Sequence, residues 1–116
     1  MKLKLYSLLQ SFVTYANTQC HLEPLLPQFE RVVCFTFQDE CYSLNISREK
    51  IELINGAVGT EELVCFQETD LQLLITGQVR LQLLLRRNAI TYRGTYRTML
   101  LLESVFHICK PLRVGA

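Results

Sequence analysis

The stretch RVVCFTFQDECYSLNISREKIELIN, residues 31–55, decides the fold. Val33, Phe35 and Phe37 alternate with Val32, Cys34 and Thr36. Beyond the polar Gln38-Asp39-Glu40, Tyr42, Leu44 and Ile46 alternate with Ser43, Asn45 and Ser47. A period of two, carried by β-branched and aromatic side chains, is the pattern of strands with one covered face. The pairing follows by arithmetic. A hairpin turning about residues 39 and 40 sets Phe37 opposite Tyr42, Phe35 opposite Leu44 and Val33 opposite Ile46. A second turn at Arg48-Glu49 sets Ile46 opposite Ile51 and Leu44 opposite Leu53. Apolar residues then meet apolar residues on one face throughout, as register selection requires. The expectation is a three-stranded antiparallel meander.

On the N-terminal side, Leu5, Leu8, Leu9, Phe12, Val13 and Ala16 recur at i, i+3, i+4, i+7, i+8 and i+11, which predicts an amphipathic helix over about Lys2–Thr18. Ser7, Gln10, Ser11 and Thr14 interrupt its apolar side chains and no small-x-small cleavage site follows, so the segment reads as mature structure rather than a signal peptide. A loop punctuated by Pro24 and Pro27 leads to the meander. On the C-terminal side, Gly56 and Gly59 mark a turn, and Leu63–Gln67 reads as a fourth strand whose inward face its sequence leaves open. Thr69-Asp70-Leu71-Gln72 has the form of a capping box, with Leu71, Leu74 and Ile75 on the apolar side of a short helix ended by Gly77. Val79–Arg87 predicts another helix closed by a left-handed Asn88. Ala89–Arg93 predicts a fifth strand, and Gly94 turns the chain into a last helix over about Thr95–Ile108, which Pro111 prevents from continuing. The order α-β-β-β-β-α-α-β-α implies a single α+β domain over residues 1–116, a five-stranded, largely antiparallel sheet with helices packed on one face.

Composition narrows the function classes. The chain has 116 residues, 49% of hydrophobic type and 20% charged, with a formal net charge of +1. That excludes a disordered polyelectrolyte. No apolar run is longer than Met99–Leu102, far short of the roughly 20 residues of a membrane-spanning helix. The five cysteines, Cys20, Cys34, Cys41, Cys65 and Cys109, are odd in number and lack C-x-x-C spacing. They point to reduced thiols in a cytoplasmic setting rather than a disulfide framework or a metal site. The near-neutral total hides an asymmetry. Residues 1–70 carry a net −5, and residues 71–116, with Glu103 as the sole acid, carry +6.

Catalytic constellations are poorly served. His21 follows Cys20 directly and His107 stands two residues before Cys109, spacings at which helical side chains do not face each other. The carboxylate pairs Asp39-Glu40 and Glu61-Glu62 fall at turns and strand ends. Gly56-x-x-Gly59 lacks the lysine and helix start of a phosphate loop. A modest total charge and the absence of a recognition motif leave no case for nucleic acid. The expectation is a non-enzymatic protein with no metal and no cofactor.

The order of elements resembles the sterol-carrier-protein domain. So does the string from a strand through Thr69-Asp70-Leu71-Gln72-Leu73-Leu74-Ile75-Thr76-Gly77 to Ile90-Thr91-Tyr92-Arg93-Gly94. Leu74-Ile75-Thr76-Gly77 stands for that family's L-L-x-G element, Gly94 for the glycine that closes its last strand, and Met99–Phe106 for its final helix. The likeness spans roughly Val32–Phe106. Thr95 replaces an acidic residue common after the closing glycine. The resemblance implies a five-stranded sheet covered by helices, an apolar tunnel between the layers, carriage of sterols, fatty acids or fatty acyl-coenzyme A, and no catalytic residues.

Combined with the residues, it implies a lipid tail lying between the sheet face (Phe35, Phe37, Leu44, Ile46) and the helices (Leu74, Leu81, Leu84, Leu85, Met99, Leu102, Phe106). Arg80, Arg87, Arg93 and Arg97 are the candidates for an anion-binding rim, since arginine suits bidentate contact with a carboxylate or phosphate. Such a rim favours a fatty acid or acyl-coenzyme A over a sterol, and equally suits transient contact with an anionic membrane surface. The alternative is a protein-protein interaction or homodimerisation module using the same leucine-rich surface (Leu81, Leu83, Leu84, Leu85, Leu100, Leu101, Leu102) without a ligand.

Overall fold

A computed structural model of the chain describes residues 4–19, 30–47 and 50–109. Cys20, His21, the loop holding Pro24 and Pro27, the Arg48-Glu49 turn and Pro111 lie outside the described residues. The elements are α1 (Lys4–Gln19), β1 (Arg31–Phe37), β2 (Glu40–Ile46), β3 (Ile51–Asn55), β4 (Glu61–Cys65), α2 (Glu68–Ile75), α3 (Leu81–Arg86), β5 (Ile90–Arg93) and α4 (Tyr96–Ile108). Their order is the one expected. The strands form one sheet in the order β3-β2-β1-β4-β5. All neighbours are antiparallel except β1 and β4, which run parallel.

The β2–β3 register is as the alternation dictates, with Ile46 opposite Ile51 and Leu44 opposite Leu53. The β1–β2 register differs by two residues from the one drawn above. Phe37 lies opposite Glu40, Phe35 opposite Tyr42 and Val33 opposite Leu44. The turn is the tight two-residue Gln38-Asp39, with Gln38 in the left-handed region at φ 55°, and tight hairpin loops need such a positive φ to match strand twist. A slip of two keeps each side chain on its own face, so apolar alternation alone does not distinguish the two registers.

Parallel pairing settles the face of β4. Leu63 lies opposite Phe35 and Cys65 opposite Phe37, so both point inward and are buried, while Glu62 and Val64 face outward. The strand lies two residues earlier than expected: it begins at Glu61 and ends at Cys65, short of Gln67, which is the N-cap of α2. The capping box does not form. Gln67 is the N-cap and its carbonyl accepts from Leu71 N at 3.1 Å. Thr69 is inside the helix, and the Gln72 amide reaches Glu68 at 3.4 Å instead. The left-handed closures are as expected at Gly77 (φ 75°) and Asn88 (φ 62°).

The inward face carries Val33, Phe35, Phe37, Leu44, Ile46, Ile51, Leu63, Cys65 and Ile90, all buried. Against it pack Leu5, Leu9, Phe12 and Ala16 of α1, Leu71, Leu74 and Ile75 of α2, Leu81 and Leu84 of α3, and Met99, Leu102, Val105 and Phe106 of α4. Phe106 joins the layers, with ring centroids 4.8 Å from Phe12 and 6.1 Å edge-on from Phe35, geometries that aromatic quadrupoles favour. The β3–β4 connection runs across the outer face. The Ser43 hydroxyl accepts from Val58 N at 3.0 Å and donates to Gly56 O at 2.8 Å. Gly59, at φ 92°, comes so close that a Cβ there would stand 3.1 Å from Val32. Also on this face, the thiols of Cys34 and Cys41 lie 2.9 Å apart, and burial together with this contact pushes Cys34 up to about 11. The four described cysteines are free thiols.

Helix starts are held by carboxylates and amides from distant elements. Glu40 Oε1 accepts from Leu5 N (2.9 Å) and Tyr6 N (3.4 Å), two of the orphan donors opening α1. Glu61 Oε2 accepts from Thr95 N (3.0 Å) and Thr95 Oγ1 (3.1 Å), and the Thr95 hydroxyl accepts from Thr98 N as the N-cap of α4. The acid missing after Gly94 is thus supplied from β4. Beside it, Tyr92 OH donates to Thr95 O at 2.8 Å, and burial, then the Glu61 charge, push that phenol up to about 12. At the free edge of the sheet, the Asn17 amide donates to Ile51 O (2.8 Å) and accepts from Ile51 N (3.1 Å), filling the place of a further strand. Asn17→Ala leaves both Ile51 groups without these partners. It should cost about 1–2 kcal/mol in urea unfolding, whereas an unchanged midpoint would show that water serves as well.

Candidate functional site

The anchors just described tie α1 near both ends, at Leu5 and Asn17, and leave its middle bordering a pocket. Leu8, Ser11, Phe12 and Tyr15 come from α1, Ile75 and Thr76 from the end of α2, and Cys109 from the C-cap of α4. The cavity is about 80 Å³. Phe12, Ile75 and Cys109 are buried at its base, Leu8 and Tyr15 are half-buried, and Ser11 stands exposed at its mouth. The lining is almost wholly apolar. Thr76 spends its hydroxyl on Gln72 O at 2.6 Å, which leaves Ser11 and Tyr15 as the hydroxyls of the rim. Among the described residues no carboxylate or imidazole lines it, and its lining is of a kind that suits apolar matter.

A smaller cleft of about 10 Å³ lies on the other side of the α2 terminus, between Leu74, Gly77, Val79, Arg80 and Leu81 and, from α4, Glu103, Phe106 and His107. Glu103, 6% exposed, accepts from Gln82 N (3.3 Å) and Gln82 Nε2 (2.7 Å). The sole acid of the basic half therefore caps α3, whose N-cap Arg80 offers no side-chain acceptor.

The eleven residues read as tail contacts occupy the core rather than an open tunnel. Phe35, Phe37, Leu44, Ile46, Leu84, Met99 and Leu102 are at most 6% exposed, and Leu85 is half-buried. Leu74, Leu81 and Phe106 line the smaller cleft, and none of the eleven lines the larger pocket. Alternation marks what faces the core, but a void depends on how helices seat, which no local pattern encodes. The pocket is lined instead by residues outside that set: Leu8, Ser11, Phe12 and Tyr15 of α1, together with Ile75, Thr76 and Cys109. A wide stripe, with Leu8 and Val13 beyond the row Leu5, Leu9, Phe12 and Ala16, was the available signal. Of the leucine-rich set, Leu83 alone is exposed.

The four arginines are dispersed. Arg93 forms an ion pair with Glu62 at 3.0 Å on the outer sheet face. Arg80 and Arg87 are the N-cap and C-cap of α3, at opposite ends of a six-residue helix. Arg97 is exposed in the first turn of α4. Of these four, Arg80 borders the smaller cleft, and none lines the larger pocket. Among the described residues, no three His, Cys, Asp or Glu side chains converge as metal ligands, and no helix is long and apolar enough to cross a membrane.

The Glu103 cap gives a direct test of α3. Glu103→Ala should lower stability by about 1–2 kcal/mol in urea unfolding, and Glu103→Gln, which keeps an acceptor oxygen, by less. Equal losses in the two variants would contradict the capping role.

No protein-family model matches the sequence, and no curated protein matches it. Among solved structures, the chain is similar to a UbiJ-SCP2 ubiquinone synthesis protein, with a TM-score of 0.64 at 12% identity over 86% of this chain and 85% of that one. It is similar also to the apo form of Sterol Carrier Protein 2 from Yarrowia lipolytica, with a TM-score of 0.51 at 13% identity over 94% of this chain and 77% of that one. The sheet order, the helical layer and these likenesses agree, and in fold the chain is a sterol-carrier-protein-like domain.

Proposed function

We propose that this chain binds and carries an amphipathic lipid without chemical change, the tail entering the pocket between α1, α2 and the end of α4. The observation that carries the reading is the pocket itself, an apolar cavity mouthed by hydroxyls at the middle of a helix anchored near its ends. The fold likeness to a sterol carrier protein supports it. At about 80 Å³ the cavity is well below the roughly 300 Å³ of a typical ligand pocket. A long tail must therefore widen it, displacing the middle of α1 from α2. Each buried methylene returns about 0.8 kcal/mol, which supplies the driving force without specific contacts.

The ligand class we favour is a fatty acid or fatty acyl-coenzyme A. Arg80 at the adjoining cleft is the cation best placed to meet an anionic head, and its own helix start holds no carboxylate within ion-pair distance of it among the described residues. The core residues Leu74, Leu81 and Phe106, between that cleft and the sheet, are the earlier tail candidates that a widened pocket reaches first. The reading is non-enzymatic.

Native mass spectrometry tests it. After delipidation, incubation with palmitate or palmitoyl-coenzyme A should give a one-to-one complex at micromolar lipid, and Ser11→Trp, which fills the mouth, should abolish it while leaving the unfolding midpoint within about 1 kcal/mol of the parent. Absence of any bound lipid, or full loading of the Trp variant, would overturn the pocket as the site.

A further inference from the structure

We infer that the outer face of α3 docks on an anionic lipid bilayer. Three observations meet there. Leu83 is exposed (38%) on a helix whose other leucines are buried or half-buried. Arg80, Arg86 and Arg87 stand three before, three after and four after it, the spacings that place side chains around one helical face. All three are exposed, and none forms an ion pair or side-chain hydrogen bond among the described residues.

Several carboxylates of the described residues are engaged elsewhere: Glu40 and Glu61 at the starts of α1 and α4, Glu62 with Arg93, Glu52 with Lys50, and Glu103, from α4, at the start of α3. Arg86 and Arg87 sit at the end of a helix, where cations are favoured by the backbone carbonyls. Arg80 sits at the opposite end, where a cation is disfavoured, and although Glu103 lines the same cleft, its oxygens go to Gln82 and it forms no ion pair with Arg80. A layer of lipid phosphates compensates all three at once, since guanidinium groups take phosphate oxygens in pairs. A leucine ringed by cations adds an apolar anchor at headgroup depth, as in interfacial helices. Charge complementarity therefore selects an anionic bilayer over a neutral one, and phosphate recognition selects it over an apolar protein partner. This docking does not depend on the internal pocket, and lies on side chains the pocket does not use except Arg80.

Flotation with vesicles tests the inference. The protein should bind phosphatidylcholine vesicles containing one-third phosphatidylglycerol and release from them as salt is raised, while binding to phosphatidylcholine alone stays weak. Arg86→Gln/Arg87→Gln should weaken binding about twenty-five-fold, at roughly fivefold per arginine near an anionic surface. Leu83→Ser should weaken it several-fold. Both variants spare Arg80 and the pocket, so palmitate loading by native mass spectrometry should be unchanged in them, which separates this inference from the carrier reading. Equal binding to neutral and anionic vesicles, binding to neither, or unaltered binding by the double arginine variant would overturn it. So would sedimentation showing that Leu83 instead joins two copies of the chain.

Discussion

The pairing of β1 with β4 is the constraint on which the rest of this structure depends. β1 is the middle strand of five, antiparallel to β2 on one side and parallel to β4 on the other. A parallel neighbour cannot be reached by a tight turn, so the chain must cross the sheet between β3 and β4. It does so on the outer face, where Ser43 gathers Gly56 and Val58 and where Gly59 lies against Val32. The same pairing turns Leu63 and Cys65 inward beside Phe35 and Phe37. The buried apolar residues of the sheet then fall mainly on one side, and the helices α1 to α4 have that side to cover. Phe106 and Phe12 close the layer over Phe35.

Acidic and basic residues divide the work in a way their totals conceal. Glu40, Glu61 and Glu103 are spent on backbone donors and a helix start, where a carboxylate both satisfies orphan N–H groups and opposes the helix dipole. Glu103 is the instructive case. The lone acid in a basic half reads as a residual charge, yet it is buried and holds α3 in place. The arginines of α3, by contrast, face solvent. The asymmetry of charge along the chain thus becomes a division between structural anions and outward cations.

How much of this was legible in the sequence varies with the range of the interaction. Ile46 opposite Ile51 followed from alternation and turn position alone, because both are local. Asn88 and Gly77 announced their left-handed closures for the same reason. The β1–β2 register was displaced by two because alternation is blind to even slips and Gln38 gives no glycine signal for its positive φ. The capping box failed because the helix starts two residues earlier, with Gln67 as its N-cap and Thr69 already within it. The long-range caps and the Asn17 clamp were not legible, since each joins residues 21 or more apart along the chain. At the site, the apolar class of the lining could be read from the α1 stripe, but the void could not, because a cavity records where helices fail to meet.

What emerges is a core that is buried at the sheet and leaves a cavity where the middle of α1 meets the end of α2 and the end of α4. A tail accommodated there would move a helix held near its two ends rather than open a preformed tunnel. Isotope-filtered nuclear Overhauser spectroscopy with carbon-13-labelled palmitate tests that claim most directly. The account predicts contacts from the palmitate methylenes to Leu8, Phe12, Tyr15 and Ile75. Contacts confined to exposed side chains such as Leu83, with none to those four, would contradict it.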